Sequence, residues 1–456
     1  MSKNSLNRRD FLSSAALVGA AGTLGAGAIL TSCGGGGTKE PALTPLKPEA
    51  EWNIPKAVLP DKAKEGAELK VGLVGCGGQG TGDLISLTKA SDGIKVVALG
   101  DMFKDRIDSC RERLKKESGQ EVPDDKCFTG FDAYQKVIDA GVDMVMLITP
   151  PNFRPVHFKA AVDAGKHVFL EKPVCVDPVG ARSVIATSKK ALSQGLCVIT
   201  GTQRHHQRCY IEGYKQVQSG LIGEIVSGTV YWNQSMLWYR QKDKSWTDME
   251  WMIRDWVNWN WLSGDHIVEQ HVHNIDVFHW FTGKKPIKAV GFGARQRRLT
   301  GDQYDMFSVD FTYEGGIHMH SMCRQIDGCV NNVSEFIQGT KGTWSSDGHV
   351  IKDLQGNELW RYDFEKEKTE FQQTNPYVLE LVNWVNHIRD KKPISQAEET
   401  AISTMAAIMG RMSAYSGGEV TWENVMGSDL SLMPEVLELK NMDMSQYMVA
   451  VPGKSK

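Results

Sequence analysis

The sequence predicts an α/β protein in which an N-terminal, doubly wound parallel sheet is followed by an α+β domain with an open, mostly antiparallel sheet. Between residues 67 and 200, short apolar strands alternate with helical patterns, and this alternation is typical of parallel sheets. Between residues 201 and 430, strand patterns succeed one another with turn residues between them, which is typical of antiparallel pairing. Residues 431–456 are expected to form a C-terminal tail.

The bulk composition is that of a globular protein. The chain has 456 residues, of which 41% are hydrophobic and 23% charged, and this length allows two or three domains. The net charge of −3 gives no indication of nucleic acid as a partner. Several of the 13 tryptophans lie between Trp232 and Trp280; clustered aromatic rings line carbohydrate sites, although most such rings fill cores. No Cys or Cys/His group has metal-binding spacing, so no metal is expected.

Residues 1–33 have the pattern of an export signal. Arg8 and Arg9 precede a weakly apolar stretch rich in Ala and Gly, and the sequence LTSC at its end resembles a lipobox. We interpret the segment as a cleaved twin-arginine signal that leaves Cys33 as the lipidated first residue. The alternative is a transmembrane anchor, for which the glycine content is unfavourable. Residues 34–66 are rich in Gly and Pro and are expected to form a flexible tether.

This N-terminal pattern predicts a periplasmic or cell-envelope lipoprotein that contacts the membrane through its lipid anchor only. The twin-arginine route carries proteins that are already folded. A cofactor made in the cytoplasm can therefore be loaded before export.

A nucleotide-binding loop follows the first strand. The strand at residues 69–74 leads directly into Gly75-x-Gly77-x-x-Gly80, and a helical pattern begins at once. In this context the first glycine permits a tight turn, the second lets a pyrophosphate approach the backbone, and the third lets helix and strand pack closely. The helix N-terminus adds free N–H groups and a positive dipole. The sequence therefore predicts a Rossmann-type domain that binds a dinucleotide through these residues: Gly75, Cys76, Gly77, Gly78, Gln79 and Gly80.

The second strand ends in an acid, Asp101, which lies 26 residues after Gly75. An acid at this place accepts hydrogen bonds from the ribose hydroxyls and repels a 2′-phosphate, so we expect NAD rather than NADP. Arg106 follows on the next helix and weakens that preference. The alternative for Asp101 is an ordinary turn or N-cap residue.

Two adjacent charges, Glu171 and Lys172, come directly after the apolar strand HVFL. Another buried strand, at residues 143–151, precedes it, and the ligands of parallel sheets bind beyond the carboxyl ends of the strands. We therefore expect the ammonium of Lys172 to face the nicotinamide pocket. The alternative is a surface ion pair.

A stripe of acids and histidine lies within residues 261–283. Asp265, Glu269, His273 and Asp276 fall on one face if the segment is helical. Three interpretations are open: His273 is a general base oriented by Glu269, the group binds a divalent metal, or the side chains are buried polar groups with structural partners. The nearby dinucleotide loop favours the first.

Together these motifs resemble the Gfo/Idh/MocA oxidoreductase family, named for glucose–fructose oxidoreductase and inositol dehydrogenase. The resemblance covers residues 67–420 and rests on the glycine loop, on TPP at 149–151, on EKP at 171–173 and on the histidine helix. It implies that Lys172 and His273 are catalytic, and from the helix spacing we add Glu269 to the catalytic group as the residue that orients His273. It implies further cofactor contacts from Asp101, Arg106, Thr149, Pro150, His157, Glu171 and Lys172.

The histidine helix departs from the family pattern at two positions. Glu269 stands where the family has Asp, and His271 stands where it has Gly. These departures suggest a subfamily with a different substrate or proton path. Candidate substrate contacts follow a strand end, lie on the loop before this helix or belong to the helix itself: Arg204, His206, Trp238, Tyr239, Asp265 and His271. For each of them a loop or core role is the alternative.

The resemblance implies oxidation of a secondary hydroxyl of a sugar, polyol or glycoside, for example at C3 of a glycoside. His273 would take the hydroxyl proton and Lys172 would stabilise the developing alkoxide. Because no soluble NAD pool exists beyond the inner membrane, we expect a tightly bound cofactor. The alternatives are a redox-neutral, NAD-dependent glycosidase that works by transient oxidation and elimination, and a non-catalytic sugar- or nucleotide-binding protein. The open sheet face predicts a homo-oligomer.

Overall fold

The computed structural model describes residues 52–453. The predicted export signal, with Cys33, and the first part of the predicted tether lie outside the described residues. Within residues 52–453, no helix is both long enough and apolar enough to span a bilayer.

The first domain is built on a seven-stranded parallel sheet. The last four residues of β1 are all buried, because helices cover both faces of a parallel sheet. The strand order is β15-β6-β5-β4-β1-β2-β3, and every pairing is parallel. The strands are β1 (Leu69–Val74), β2 (Ile94–Asp101), β3 (Cys127–Thr129), β4 (Met144–Leu147), β5 (His167–Leu170), β6 (Cys197–Thr200) and β15 (Ile394–Ser395).

The strand order reverses between β1 and β4, which opens a crevice at the carboxyl edge of the sheet. The loops that follow these strands carry the glycine motif and the TPP motif, so both meet at the crevice. The helices of this domain are α1 (Gly78–Ala90), α2 (Lys104–Ser118), α3 (Ala133–Asp139), α4 (Arg154–Asp163), α5 (Pro178–Ser193) and α12 (Pro376–Arg389).

The second domain is built on a nine-stranded sheet with the order β14-β13-β12-β11-β7-β10-β9-β8-β16. All its pairings are antiparallel except β7 with β10, which confirms the predicted mostly antiparallel sheet. The strands are β7 (Ile225–Gln234), β8 (Pro286–Ala294), β9 (Met306–Tyr313), β10 (His318–Gln325), β11 (Asn332–Gly339), β12 (Gly342–Ser345), β13 (Val350–Asp353), β14 (Glu358–Arg361) and β16 (Val420–Thr421).

One face of this sheet packs against helices, and the close approach depends on small residues. A Cβ at Gly228 of β7 would lie 2.3 Å from the ring of Phe278, so glycine lets helix α10 lie directly on the strand. Helix α13 lies between β8 and α5 and joins the two domains. The helices here are α6 (Arg208–Gln218), α7 (Asp248–Arg254), α8 (Asn260–Ser263), α9 (His266–Glu269), α10 (Val272–Thr282), α11 (Phe364–Glu370), α13 (Ala397–Ser416) and α14 (Trp422–Met426).

The chain returns to the first domain late in the sequence, which differs from the predicted boundary at residue 200. Helix α12 packs against α1, and β15 adds an edge strand to the parallel sheet. Leu381 and Trp384 of α12 are fully buried in the same core cluster as Val71 of β1. Residues 376–395 therefore belong structurally to the dinucleotide-binding domain.

The structure also differs from the predicted tether, because residues 52–66 lie against the body of the protein. The backbone N–H and the side-chain amide of Asn53 donate to Glu399 Oε1 at 2.9 and 2.7 Å. Arg208 donates from Nη2 to the carbonyl oxygen of Leu59 at 2.8 Å. The sequence has Gly and Pro in this stretch, yet its hydrogen bonds tie it to residues that lie far along the chain.

The predicted C-terminal tail packs in a similar way over its described part, residues 431–453. The backbone N–H of Leu432 donates to Asp177 Oδ2 at 2.7 Å, and that of Met442 donates to Asp248 Oδ2 at 3.0 Å. The segment therefore connects the start of α5 with helix α7.

Candidate functional site

A cavity of about 620 Å³ opens at the carboxyl edge of the parallel sheet, and both domains line it. The first domain supplies nearly all of the predicted cofactor residues: Gly75, Gly77, Gly78, Gln79, Gly80, Asp101, Arg106, Thr149, Pro150, His157, Glu171 and Lys172. The second domain supplies Trp238, Glu269 and His273 of the predicted set. The predicted catalytic residues therefore meet in one cavity, although a hundred positions separate the first from the last along the chain.

The glycine loop has the geometry that a pyrophosphate requires. Gly75 has φ of +101°, and a Cβ there would lie 2.5 Å from the carbonyl oxygen of Ile148. A Cβ at Gly80 would lie 1.9 Å from the carbonyl oxygen of Gly75. At Gly77 and Gly78, by contrast, a Cβ would meet no described atom within 4 Å. That open space lies at the first turn of α1, whose free N–H groups favour an anion.

The carboxylate of Asp101 is fixed by the backbone around it. Oδ2 accepts from the N–H of Cys76 at 2.7 Å, and Oδ1 accepts from the N–H of Phe103 at 3.0 Å. Burial raises the pKa of Asp101, against these two hydrogen bonds. Cys76 was predicted to contact the cofactor; its side chain is instead buried outside the cavity lining, and its contribution is the N–H that orients Asp101.

Lys172 lies just after β5, and its ammonium is held by one residue of the second domain. Nζ donates to the carbonyl oxygen of Glu269 at 2.7 Å and lies 3.3 Å from Glu269 Oε1. Only 11% of the lysine side chain and 8% of the glutamate side chain are exposed. The end of β5 is thereby tied to the end of α9, across the domain boundary.

A buried guanidinium positions the two loops that carry these motifs. Arg154 donates from Nε to the carbonyl oxygen of Thr149 at 2.8 Å. It also donates from Nη1 to the carbonyl oxygens of Glu171 and Pro173, at 3.0 and 2.7 Å. The sequence analysis missed Arg154, because nothing in its local pattern distinguishes it from an exposed arginine at a helix start.

Glu171 lies beneath the cavity with its carboxyl group against the backbone of Gly201. A Cβ at Gly201 would lie 2.5 Å from that carboxyl group, so the glycine makes room for it. Burial raises the pKa of Glu171, against the positive charges of Lys172 and Arg154. The predicted pair Glu171–Lys172 is therefore a buried part of the cavity and not a surface ion pair.

His273 lies in the first turn of α10 and lines the same cavity. Its ring stacks on Trp232, with centroids 5.6 Å apart and planes inclined by 20°. Burial holds the pKa of His273 well below its usual value, and the positive charges of Lys172 and Arg204 lower it further. The imidazole is therefore neutral near pH 7 and has a free nitrogen lone pair for a proton.

His157 supports the cavity from α4. Its ring stacks on Tyr134 with centroids 4.2 Å apart, and Nδ1 lies 3.2 Å from Thr149 Oγ1. Burial and the charge of Arg154 lower the pKa of His157 to about 3.

Asp265 and His271 do not reach the cavity, and the predicted single helix is broken between them. Asp265 has φ of +71° and caps α9 by accepting from the N–H of His266. Its other oxygen accepts from Tyr304 N–H at 2.9 Å and from Tyr415 Oη–H at 2.5 Å. These contacts make Asp265 a buried structural group and not a substrate contact.

Three other predicted substrate contacts, His271, Arg204 and His206, are bonded to protein groups outside the cavity lining. His271 Nε2 pairs with Ser321 Oγ at 2.7 Å, away from the cavity. Arg204 forms an ion pair with Glu335, and His206 Nε2 lies 3.2 Å from the amide of Asn383. Tyr239 also lies outside the cavity lining, although Trp238 beside it is part of that lining.

The sequence analysis missed several residues of the cavity wall near His273. They are Gln203, Trp232, Gln270 and Tyr377. Gln203 and Gln270 adjoin predicted site residues, and Trp232 begins the tryptophan cluster noted in the sequence, so their positions were a usable signal. Tyr377 comes from the returning helix α12, which no local pattern connects to the site. Within residues 52–453, no group of three or more His, Cys, Asp or Glu side chains is arranged to hold a metal ion.

The comparisons with known proteins agree with this geometry. Residues 69–201 match the model of the Gfo/Idh/MocA oxidoreductase family, NAD-binding Rossmann fold, and residues 214–421 match the C-terminal alpha/beta domain of the same family. Scyllo-inositol 2-dehydrogenase (NAD(+)) of Bacillus subtilis is 22% identical over 248 residues, which are 54% of this chain and 63% of that protein. A glycosyl hydrolase family 109 protein of Solibacter usitatus is 27% identical over 201 residues, 41% of this chain and 43% of that protein.

The chain thus spans less than two thirds of the length of these curated relatives. A solved structure of scyllo-inositol dehydrogenase from Lactobacillus casei, with bound NAD(H) and scyllo-inositol, superposes with a TM-score of 0.59. Its sequence identity is 21%, and the match covers 78% of this chain and 99% of that chain. Because the two family models follow one another over most of the described residues, this chain belongs to the Gfo/Idh/MocA oxidoreductase family, and its first domain is an NAD-binding Rossmann domain.

Proposed function

We propose that this protein oxidises a secondary hydroxyl of a sugar, polyol or glycoside with NAD as hydride acceptor. One observation carries the proposal: Lys172 and His273, from different domains, line the same cavity as the open glycine loop. A scaffold that only bound a ligand would need neither a buried ammonium nor a neutral imidazole at this place.

The two side chains suit the two charges that change during such an oxidation. His273 is neutral near pH 7 because its pKa is held low, so it accepts the hydroxyl proton. Lys172, mostly buried and held by Glu269, places positive charge where the alkoxide develops. NAD, when bound at the glycine loop, supplies the acceptor for the hydride.

The cavity wall suits a neutral, polyhydroxylated substrate. Gln203 and Gln270 offer amide groups, and Trp232, which stacks on His273, offers aromatic surface. Amides satisfy hydroxyl groups and indole rings cover the apolar faces of sugar rings. The names of two relatives, an inositol dehydrogenase and a glycosyl hydrolase family 109 protein, support the same substrate class.

A redox-neutral glycosidase is the second candidate, and the family 109 relative is the observation that favours it. In this cycle a hydroxyl is oxidised to a ketone, the adjacent acidified C–H proton is removed, and the glycosidic bond breaks by elimination. Water then adds, and the hydride returns to the sugar. The net reaction is hydrolysis, and NAD is unchanged at the end.

We also propose that the protein acts as a periplasmic or cell-envelope lipoprotein exported in the folded state. Arg8, Arg9 and Cys33 carry this proposal from the sequence. It requires that the cofactor stay bound, since no soluble NAD pool exists there. Replacement of both arginines by lysine is expected to leave the protein in the cytoplasm, and Cys33→Ala to remove the lipid; fractionation and mass spectrometry measure both.

The test of the catalytic proposal starts from the full chain purified without added nucleotide. Native mass spectrometry is expected to show bound NAD, and addition of inositols, aldoses or aryl glycosides is expected to raise absorbance at the nicotinamide band. A ketone product supports the dehydrogenase, whereas release of free sugar without net reduction of NAD supports the glycosidase. A protein that binds dinucleotide and sugar but gives neither product would contradict both enzymatic functions.

A further inference from the structure

One wall of the cavity comes from a segment that the Rossmann domain does not contain. Residues 237–257, here called the bridging segment, run from the end of β7 through α7 to the start of α8. The bridging segment contributes Leu237, Trp238, Arg240, Ile253, Arg254, Trp256 and Val257 to the lining. The facing wall is formed by Asp101 and the residues that follow it, where the adenosine ribose of a dinucleotide lies.

The bridging segment is fastened to the Rossmann domain by one arginine. Arg254 Nη1 lies 3.3 and 3.2 Å from the two carboxylate oxygens of Asp105, in the first turn of α2. Its guanidinium carbon also lies 3.7 Å from the ring centroid of Phe103. Arg254 is mostly buried and Asp105 is mostly exposed, with 15% and 60% of their side chains accessible. The contact thus closes directly over the residues that follow Asp101.

Packing behind the bridging segment holds it in this position. Met249, Met252 and Ile253 are buried in one cluster with Phe103 and Phe153 of the Rossmann domain. The C-terminal segment supports the other side, because the N–H of Met249 donates to the carbonyl oxygen of Lys440 at 3.2 Å, and Asp248 accepts from Met442. The wall therefore belongs to the folded body and is not a loose loop.

The charges on the two walls favour an anionic group between them. Arg106 on α2 and Arg240 on the bridging segment both line the cavity. Within residues 52–453, neither guanidinium has a carboxylate at ion-pair distance. Burial lowers the pKa of Arg240, and the nearby charges of Arg106 and Arg254 lower it further. Like charges held close together are relieved by an anion, and a dinucleotide carries two phosphates.

We propose that the bridging segment is the second half of the dinucleotide site: it closes over the adenosine and phosphate half of NAD and slows its release. This inference rests on the proposed function for the identity of the ligand. It supplies a physical basis for a cofactor that stays bound through many turnovers, because release requires the Arg254–Asp105 contact and the packing behind it to open.

The test loosens the fastening without touching the cavity lining. Asp105→Arg places a like charge against Arg254, and Asp105 is exposed enough for this change to leave folding intact. The holoenzyme is loaded with NADH, and its release into excess NAD is followed by fluorescence. The expected result is a release rate about tenfold higher, since an attraction of order 1 kcal/mol becomes a repulsion.

Asp163→Arg is the matched control, because Asp163 is also an ion-paired carboxylate of the Rossmann domain, on α4, and lies outside the cavity lining. Its release rate is expected to equal that of the wild type. Hydrogen exchange provides a second readout: NAD is expected to slow amide exchange in residues 237–257. Equal release rates in all variants, in a protein that reduces added NAD, would overturn the role of the bridging segment alone. A protein that neither holds nor reduces NAD would instead overturn the proposed function.

Discussion

Lys172 is the residue on which the proposed chemistry depends most directly. Its ammonium has two acceptors on the same residue, the carbonyl and carboxylate oxygens of Glu269, so its position is set by the second domain. Glu269 stands where the family pattern has Asp, and its longer side chain reaches across the domain boundary to Lys172. A change at either residue therefore alters the electrostatics of the cavity and the contact between the domains.

Replacement of Lys172 by methionine is expected to lower kcat by about 10²- to 10³-fold, because the positive charge that stabilises the alkoxide is lost. KM is expected to change much less, since neutral hydroxyl groups bind without this charge. Steady-state kinetics of the NAD-loaded protein measure both constants. Lys159→Met, at an exposed lysine of α4 that pairs with Asp163, is the control and should retain wild-type rates. Full activity in Lys172→Met would contradict the proposed mechanism.

The lowered pKa of His273 leads to a prediction about the pH dependence of the reaction. Its pKa in the folded protein lies well below the usual value near 6.5, so the imidazole stays unprotonated as the pH falls through 6.5. The acid limb of kcat/KM that belongs to this base is therefore expected below pH 6.5, and His273→Asn is expected to abolish it while lowering the rate by about 10²- to 10⁴-fold. The contrary result would be an acid limb of kcat/KM that is centred at or above pH 6.5 in the wild type and is absent in His273→Asn. It would show that the pKa of His273 is not lowered by its surroundings.

At the residue scale, the sequence predicted the types of side chain in the site better than their contacts. Lys172 and His273 line the cavity as expected, and both come from motifs with fixed spacing. Asp265 was expected on the same helical face as His273, but it is the N-cap of α9, with a positive φ, and α9 ends before the helix of His273 begins. The partners that stabilise this conformation, Tyr304 and Tyr415, lie 39 and 150 positions away, so no local pattern could reveal them.

At the element scale, the glycine loop and the first turn of α1 act as one unit. Gly78→Ala places a methyl group in the open space where a pyrophosphate would lie, and we expect NAD affinity to fall about 10- to 100-fold with little change in Tm. Isothermal titration of the nucleotide-free protein and thermal unfolding measure the two effects. Gly82→Ala is the matched control on the same helix. A Cβ at Gly82 also meets no described atom within 4 Å, but Gly82 lies outside the cavity lining. Equal loss of affinity in both variants would contradict a specific role for the loop.

Most of the helices and strands could be predicted from the periodicity of apolar residues and from the positions of the turn residues between them. The first strand was expected at residues 69–74, which are the bounds of β1. The helices expected to alternate with strands between residues 67 and 200 are present, for example as α3 and α4. Sheet order was beyond reach, because the parallel pairing of β7 with β10 and the return of β15 to the first sheet depend on contacts between distant parts of the chain.

At the scale of the whole molecule, the two domains are held together by more than the cavity. Helix α13 packs on β8 of the second sheet and on α5 of the first domain, and residues 376–395 return to the first domain. The segments at 52–66 and 431–453 form hydrogen bonds to residues that lie far away along the chain. Composition indicated a flexible tether at residues 34–66, since Gly and Pro are frequent there, and it could not show the distant carboxylate and the arginine that hold residues 52–66. The function depends on this arrangement, because each domain supplies one of the two proposed catalytic groups.

The outer face of the second sheet leads to the last prediction. Gly291 of β8 packs against the backbone of α13, so its neighbours Val290 and Phe292 point away from the helices, with 50% and 71% exposure. Met322 and Phe336 are also exposed on strands of this sheet. These exposed apolar side chains alternate with polar ones such as Ser308 and Asp310 across the strands, a mixture that suits an interface, and we propose that this face joins copies of this chain.

Light scattering after size-exclusion chromatography is expected to show a homo-oligomer for the wild type and a shift towards monomer for Phe292→Asp, because a carboxylate at the centre of an apolar interface is buried without a partner. Leu354→Asp, at an exposed leucine just after β13, is the matched control and should leave the mass unchanged. NAD binding by Phe292→Asp is measured in parallel. Retained binding shows that the variant is folded, since Phe292 lies outside the cavity lining. A wild type that is monomeric at every concentration would contradict the proposed interface.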